Sequence, residues 1–455
     1  DKLGIIAPVY ITANNGGTIS IETARNRPID TILSGPASGV LAATHVSKGN
    51  TSLITFDMGG TSTDISICRQ GSLEFSHSTL IGDYPLMLPV VNVTAIGAGG
   101  GSIIWSDPQG ILKVGPESSG AEPGPVCYGR GGKKPTITDA YLTLGLLDEK
   151  RFNAGRMELD KAAAAAALKQ IARSIGLKDE TEASEAAIRV TTAKMATELR
   201  KLMAQNGLDP RGFILIAYGG AGPTHANFLA EEARLDSVLV PRLPGTFCAL
   251  GAILADVRRD YVRPARQMID RSGNGWKRIY ERLLDAEKEA LEWINKEGNL
   301  IGDNNLKLTC DMRYPAQAFE LSISVPDYNL EKLSSCQIID LFNREHERLY
   351  GFHEPDSEVQ ITNLRLSVVG RVEKIKLIAK NIKSKPEPEG YRRIFNSRWQ
   401  SVPVYSRDKI GQGTVIEGPA IIEQPDSTIV LLSQWFAKSD KMDNLILKRL
   451  KSDEA

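Results

Sequence analysis

The sequence has no excess of charge of either sign. Its 455 residues carry 55 Lys plus Arg against 55 Asp plus Glu, a formal net charge of zero. No basic surplus points to a nucleic-acid partner, and no acidic tail points to a disordered solvating segment. Clustered thiols are also missing. The five cysteines, Cys68, Cys127, Cys248, Cys310 and Cys336, are scattered along the chain. That excludes CxxC redox pairs and zinc-knuckle spacing. An odd, dispersed set in a long chain reads as reduced thiols and a cytoplasmic protein. The five histidines, His45, His77, His225, His346 and His353, have no metal spacing either. No run approaches the ~20 apolar residues of a membrane span, so no membrane contact is expected. The opening Asp1-Lys-Leu-Gly-Ile5 has no signal-peptide pattern and no initiator methionine, and is read as a processed or excised start.

Glycine is abundant, with 41 residues, and organises the first 150 positions. Strands are expected at 5–12, 52–56 and 65–68, the last two as a hairpin. Residues 160–206 turn helical. Asp160 is a plausible N-cap before the alanine run 162–167, and Gly207 supplies a stop. A buried strand at 213–217, a helix at 225–234 and a strand at 237–240 point to α/β layering. A charged amphipathic helix spans 276–296, and strands follow at 310–325 and 359–372. Residues 380–390 read as an exposed linker before a β-rich segment. The domains expected are 1–265, with a glycine-rich insertion near 90–140 and helices near 158–206, then 266–380 as an α+β region, then 381–455 as a small β-rich module.

The sharpest motif is Asp57-Met58-Gly59-Gly60-Thr61-Ser62-Thr63-Asp64. A buried strand ends in Asp, two glycines turn at positive φ, and hydroxyls follow. Backbone N–H groups with Thr61, Ser62 and Thr63 suit phosphate oxygens. Asp57 or Asp64 suits Mg²⁺, a cation that takes oxygen ligands. The loop lacks the Gly-Lys-Ser/Thr end of a P-loop. An ordinary hairpin turn is the bland alternative. The second motif, Gly219-Gly220-Ala221-Gly222-Pro223-Thr224-His225, joins a strand to a helix. Small residues there let a base or ribose lie on the backbone beside a helix N-terminus. His225 serves either to orient the nucleotide or to pack. Arg130, Arg258 and Arg259 meet a phosphate or carboxylate, or form surface ion pairs. The third signal is Gly97-Ala98-Gly99-Gly100-Gly101-Ser102 together with the Gly/Pro-rich run 114–132 and Asp139. It reads as an ordered active-site or interface loop.

Together the first two motifs resemble the phosphate and adenosine motifs of the actin-like, ribonuclease-H-like ATPase fold. The wider set resembles the A-type subunit of the hydantoinase/oxoprolinase family: Ser34-Gly-Pro-Ala-Ser-Gly-Val, the octet at Asp57, Gly97-Ala-Gly-Gly-Gly-Ser-Ile, Pro135-Thr-Ile-Thr-Asp-Ala, the run from Gly219, Gly245-Thr-Phe-Cys-Ala-Leu-Gly and Gly418-Pro-Ala-Ile-Ile-Glu-Gln-Pro-Asp-Ser-Thr. The resemblance implies an α/β, actin-like ATPase domain with Gly-rich insertions and a smaller β-rich C-terminal region. It implies ATP and Mg²⁺, phosphorylation of a cyclic amide (hydantoin, 5-oxoproline or lactam) and ring opening with a B-type partner. An acetone-type ketone carboxylase subunit and a non-catalytic nucleotide-binding scaffold are the alternatives. By the resemblance Asp57, Gly59, Gly60, Thr61 and Thr63 are phosphate and metal contacts, and Gly219, Gly220 and Gly222 are adenosine contacts. Asp57 and Asp64 are the candidate catalytic carboxylates. Two departures stand out. Relatives open with an N-terminal domain bearing another Asp-x-Gly-Gly-Thr hairpin, and this sequence begins after it, so the chain alone is expected to turn nothing over. Many relatives also carry Asp and His where this chain has Asn92 and Thr94.

Overall fold

The computed structural model describes residues 8–47, 51–76, 79–81, 84–86, 90–297, 303–375 and 386–450. Residues 5–7 of the first expected strand, His77 and most of the expected linker lie outside these. Contacts group the chain into two units. One holds residues 1–38, 75–91 and 252–375, and the other holds 39–74, 92–251 and 376–455. Each unit is assembled from three separated segments. The three consecutive blocks expected from composition differ from this division, because strand pairing, which composition does not display, gathers the distant segments.

The larger unit is built on one sheet. Its main path starts with five strands, Leu53–Met58, Thr63–Arg69, Thr94–Ile96, Ile214–Tyr218 and Ser237–Val240, with the short Ser72–Leu73 paired beside Thr63–Arg69. Numbered in that order, the five lie 3-2-1-4-5 across the sheet. Strands 1 and 2 pair antiparallel, as do strands 2 and 3, and strands 1, 4 and 5 run parallel. Central strands covered on both faces read as continuous apolar runs, which is why Leu53, Ile54, Thr55 and Phe56 are all buried. On one face Ile54, Phe56, Leu215 and Ala217 pack against helical residues such as Ile137, Met195, Leu199 and Leu229.

The long expected helical segment is two helices, Lys161–Ser174 and Glu180–Gln205. Asp160 caps the first through Ala163 N–H at 2.8 Å. Asp179 caps the second, and Gly207 beyond its end takes φ +62°. The C-terminal region is β-rich, as expected, but it is not a separate layer. Leu445–Arg449 pairs antiparallel with Ser237–Val240, and Trp435–Ser439 and Val415–Glu417 continue the sheet. The strands Gly390–Asn396, Arg398–Ser406, Ala420–Gln424 and Ser427–Leu431 form a second sheet that shares the same core.

The smaller unit carries a six-stranded sheet in the order Tyr10–Thr12, Thr18–Ser20, Val257–Ile269, Val359–Gly370, Asn304–Arg313, Leu321–Val325. The helix Trp276–Glu297 lays Ile279, Leu283, Ala286 and Ala290 into the core of this unit. That spacing is the one expected of an amphipathic helix.

Candidate functional site

The strand Leu53–Met58 ends in a four-residue bend, closed by Gly59 N–H donating to Ser62 O at 3.0 Å. Its register places Asp57 opposite Asp64. Side chains alternate across a strand, so Phe56, Met58, Thr63 and Ile65 sink into one face. Asp57 and Asp64 share the other face and are half-buried. The parallel neighbour Ile214–Tyr218 sets Tyr218 beside Asp57, so the glycines that follow emerge next to the bend. Ala221 N–H donates to Met58 O at 3.0 Å. Gly219 makes this approach possible. Its φ is +79°, and a Cβ there would lie 2.4 Å from Asp57 Oδ1 and 2.5 Å from Met58 O.

The two glycine bends therefore meet. Gly59, Gly60, Gly220 and Ala221 line one cavity of about 210 Å³. The positive φ expected at Gly59 and Gly60 is not found, because neither adopts left-handed backbone. What they supply is open space. A Cβ on Gly60 or Gly220 would meet nothing within 4 Å. Among the described residues the N–H groups of Gly60, Thr61 and Gly220 have no internal acceptor. Thr61 is exposed and Ser62 half-buried. Thr63 differs from the phosphate contact expected: it is fully buried, and its hydroxyl donates to Ala98 O at 2.5 Å. Gly222 begins the helix Gly222–Ala233 and abuts Phe56 O, where a Cβ would sit at 3.4 Å. Its position is set by packing.

On the opposite face the two carboxylates face each other. Burial raises the Asp57 carboxyl above its ordinary range, partly offset by the Cys248 thiol, which donates to Oδ2 at 3.4 Å. Asp64 is pushed up to about 6 by burial and by the charge of Asp57. Burial and the same carboxylate raise the Cys248 thiol. Among the described residues no group of three or more His, Cys, Asp or Glu gathers around one point. A like-charged pair on a half-buried face is the partial oxygen set that a hard cation completes with ligand oxygens and water.

The segment Gly97–Ser102 is the backing of the bend. Gly100 N–H donates to Gly59 O at 2.9 Å and Gly101 N–H to Gly60 O at 2.5 Å. Asp139 is fully buried and organises the loop behind it. Its carboxylate accepts from Cys127 N–H and Thr136 N–H, each at 2.7 Å, and from Val126 N–H at 3.2 Å. The run is ordered, as expected: its first part pairs with the strand Ser102–Ser106, and Asp139 holds its end at Val126 and Cys127. His225 packs. It is fully buried, with Tyr141 Oη at 2.6 Å from Nδ1 and Thr192 Oγ1 at 3.1 Å from Nε2, and burial lowers its pKa to about 3. Asn92 O accepts from Ser66 Oγ at 2.7 Å, and Thr94 pairs with Ile65 on the edge strand. Arg130 is exposed, and Arg258 and Arg259 fall in the smaller unit.

Sequence reasoning missed the far wall of the cavity. Residues 423–428 close it, Tyr128 contributes from the insertion, and Arg151 and Phe152 contribute from the segment that follows it. Tyr128 and Phe152 lie 5.8 Å apart by ring centroid. Arg151 pairs with Glu389 at 2.8 Å and with Glu423 at 3.2 Å. Asp426 Oδ2 accepts from Gly245 N–H at 2.9 Å. The sequence signals were the 114–132 run, read as an active-site or interface loop and containing Tyr128, and the motifs at Gly245 and Gly418, to which no role was given.

Comparison with known proteins agrees with these motifs. The family model described as hydantoinase/oxoprolinase matches residues 1–261, and the hydantoinase/oxoprolinase C-terminal domain matches residues 268–450. The caprolactamase subunit alpha of Pseudomonas jessenii is 34% identical over 97% of this chain, which spans 64% of that relative. The crystal structure of the ATP-dependent caprolactamase from the same organism superposes with a TM-score of 0.85 at 32% identity, over 98% of this chain and 66% of the other. The nucleotide-free structure of acetone carboxylase gives 0.79 at 26% identity, over 99% of this chain and 65% of the other. The chain thus spans less than two-thirds of the length of these relatives.

Proposed function

The chain belongs to the hydantoinase/oxoprolinase family, and from that premise we propose that it is the ATP-binding part of an enzyme that activates a cyclic amide for ring opening. Hydantoins, 5-oxoproline and other lactams are the substrate class. One observation carries the reading. Two glycine bends, about 160 residues apart in sequence, end adjacent parallel strands and line one cavity, and the N–H groups of Gly60 and Gly220 have no acceptor among the described residues. Backbone donors without side chains in front of them are what phosphate oxygens need for close approach. The 3-2-1-4-5 strand order supports the ribonuclease-H-like, actin-type reading of this unit. Tyr128, Phe152 and Ala221 offer apolar surface for the nucleoside.

Asp57 and Asp64 lie on the other face of the sheet and do not line this cavity; a Mg²⁺ held by them would neutralise phosphate charge at the tip of the bend, where Gly60 and Thr61 are exposed. The chain's own contribution is positioning. Gly60, Thr61 and Gly220 orient the phosphates, and the buried backing of Gly97–Ser102 fixes the bend. In the overall reaction the γ-phosphoryl group passes to the amide oxygen and ADP leaves. One water adds to the activated carbon and the ring C–N bond breaks, the nitrogen leaving as the amine and the carbon remaining as an acyl phosphate. A second water hydrolyses that acyl phosphate to the acid and free phosphate. An unactivated amide resists water; phosphorylating its oxygen removes the amide resonance and makes the carbon open to attack, and phosphate is the leaving group when the acyl phosphate is hydrolysed. The ring opening and hydrolysis belong to a B-type partner in this reading, and the phosphoryl transfer needs the N-terminal domain of the longer relatives.

The likeness to acetone carboxylase keeps a ketone carboxylase subunit as the second reading. A phosphate-release assay on the complete assembly decides between them. Stimulation by hydantoins, 5-oxoproline or lactams without bicarbonate supports the amide reading, and stimulation only by a ketone with bicarbonate supports the carboxylase. Tight Mg-ATP binding with no stimulation by any of these would leave the scaffold reading standing and reject both enzymes.

A further inference from the structure

The smaller unit holds a cavity of its own, of about 250 Å³, which the reading above does not use. Its walls come from the loop around Asn14 and Asn15 and from the start of the strand Val257–Ile269. Charged side chains dominate it, and most are matched. Arg27 pairs with Asp30 at 2.9 Å, Arg258 with Asp260 at 3.1 Å, and Arg263 with Glu289 at 2.6 Å. Asp260 is further held by Asn15 Nδ2 at 2.8 Å and by Ser367 Oγ at 2.5 Å, which leaves little acceptor capacity. Arg259 is the exception. Among the described residues it has no carboxylate partner. Its guanidinium instead stands over two rings, 5.0 Å from the Tyr261 centroid and 5.6 Å from that of Trp293.

We propose that this cavity binds a small organic monocarboxylate, with Arg259 as its anchoring cation. Held against the two rings and not spent on a carboxylate, the guanidinium keeps a fork of N–H donors that fits two carboxylate oxygens. Three matched pairs leave one net positive charge, which balances a monoanion. A phosphate dianion would meet three resident carboxylates, Asp30, Asp260 and Glu289, with only one uncommitted cation against it. The volume suits a ligand smaller than an ordinary drug-sized molecule. This site stands whether or not the glycine bends hold a nucleotide, because its test needs no ATP.

The test is calorimetric titration of the chain with four acids: acetate, benzoate, N-acetylglycine and 5-oxoproline. Each is paired with its neutral amide, and inorganic phosphate is run alongside. At least one acid is expected to bind saturably, at least tenfold more tightly than its amide and than phosphate. Arg259→Gln is expected to weaken that acid about tenfold or more. Arg259→Lys, which keeps the charge and loses the fork, is expected to fall between the two. Thermal melting confirms that each variant folds, and if Arg259→Gln does not fold, the Arg259→Lys deficit carries the decision. Binding of no acid, equal binding of acid and amide, tighter binding of phosphate, or an affinity unmoved in the folded variants would overturn the site.

Discussion

Residues 59–63 and 97–102 look alike as sequence, each a short glycine-rich run with a hydroxyl residue at its end, yet their glycines do opposite things. In the first, a Cβ on Gly60 meets nothing, and the same holds at Gly220. In the second, a Cβ on Gly99 would lie 2.8 Å from Ser62 N, and one on Gly101 would lie 2.8 Å from Gly60 O. Donors divide the same way. The N–H groups of Gly99, Gly100 and Gly101 are spent on Ser102 Oγ at 2.7 Å, Gly59 O at 2.9 Å and Gly60 O at 2.5 Å. Those of Gly60 and Thr61 are unspent among the described residues. One run keeps space for a ligand, and the other lets the protein's own backbone close in behind it.

The largest expected effect tests the closed run. Gly99→Ala forces a methyl into backbone that has no flexible end to give, and is expected to cost roughly 2–4 kcal/mol of stability. Denaturant unfolding of the chain measures it. A loss below about 1 kcal/mol would mean that the backing yields, and the distinction between the runs would fail.

Next comes the carboxylate beneath the open run. Asp57→Asn keeps the shape and removes a charge from the proposed cation site. Mg-ATP affinity is expected to fall about thirtyfold to a hundredfold, while nucleotide binding in EDTA changes little. Equal losses with and without Mg²⁺ would show that Asp57 supports the bend and does not serve the metal.

Gly60→Ala sharpens the contrast directly. Its backbone is not left-handed and its surroundings are empty, so folding stability should move by no more than about 0.5–1 kcal/mol. The methyl stands where phosphate oxygens would approach, and nucleotide affinity is expected to drop about tenfold. A variant that binds nucleotide normally would move the phosphate site elsewhere.

Local patterns in this chain carried local structure. The hairpin at Asp57 was legible because a buried apolar strand, two glycines and a return strand leave the chain few other options. The caps at Asp160 and Asp179 follow from short-range hydrogen bonding, and the first was read in advance. The adjacency of Gly219 and Asp57 was legible only through resemblance, since no local pattern states which strands pair. The joining of Leu445–Arg449 to the central sheet was not legible for the same reason. Thr63 and Gly219 show a subtler limit. Both sit inside a ligand-like motif, yet one is a buried pin and the other a point of backbone contact. Motif membership does not say which face a side chain takes or whether its donor is already spent.

The smallest effect asks whether the open face is held ready at a cost. Asp64 titrates near 6 in the folded chain against an ordinary value of 3.8, because burial and Asp57 disfavour its charge. A carboxyl raised on folding contributes stability that is fully present below about pH 3.8 and lost as pH rises through 6. At pH 7.5 the ionised Asp64 is therefore a burden on the ligand-free protein. The burden is about 1 kcal/mol once the group's partial exposure is allowed for. Asp64→Asn should raise the melting temperature at pH 7.5 by about 1–2 °C. The gain should vanish below pH 4, where both side chains are neutral. Saturating Mg-ATP should reverse the order, since the cation then favours the charged carboxylate. A variant that melts lower than the parent at pH 7.5 without nucleotide would mean that Asp64 already has a partner, and that the face is not waiting for a cation.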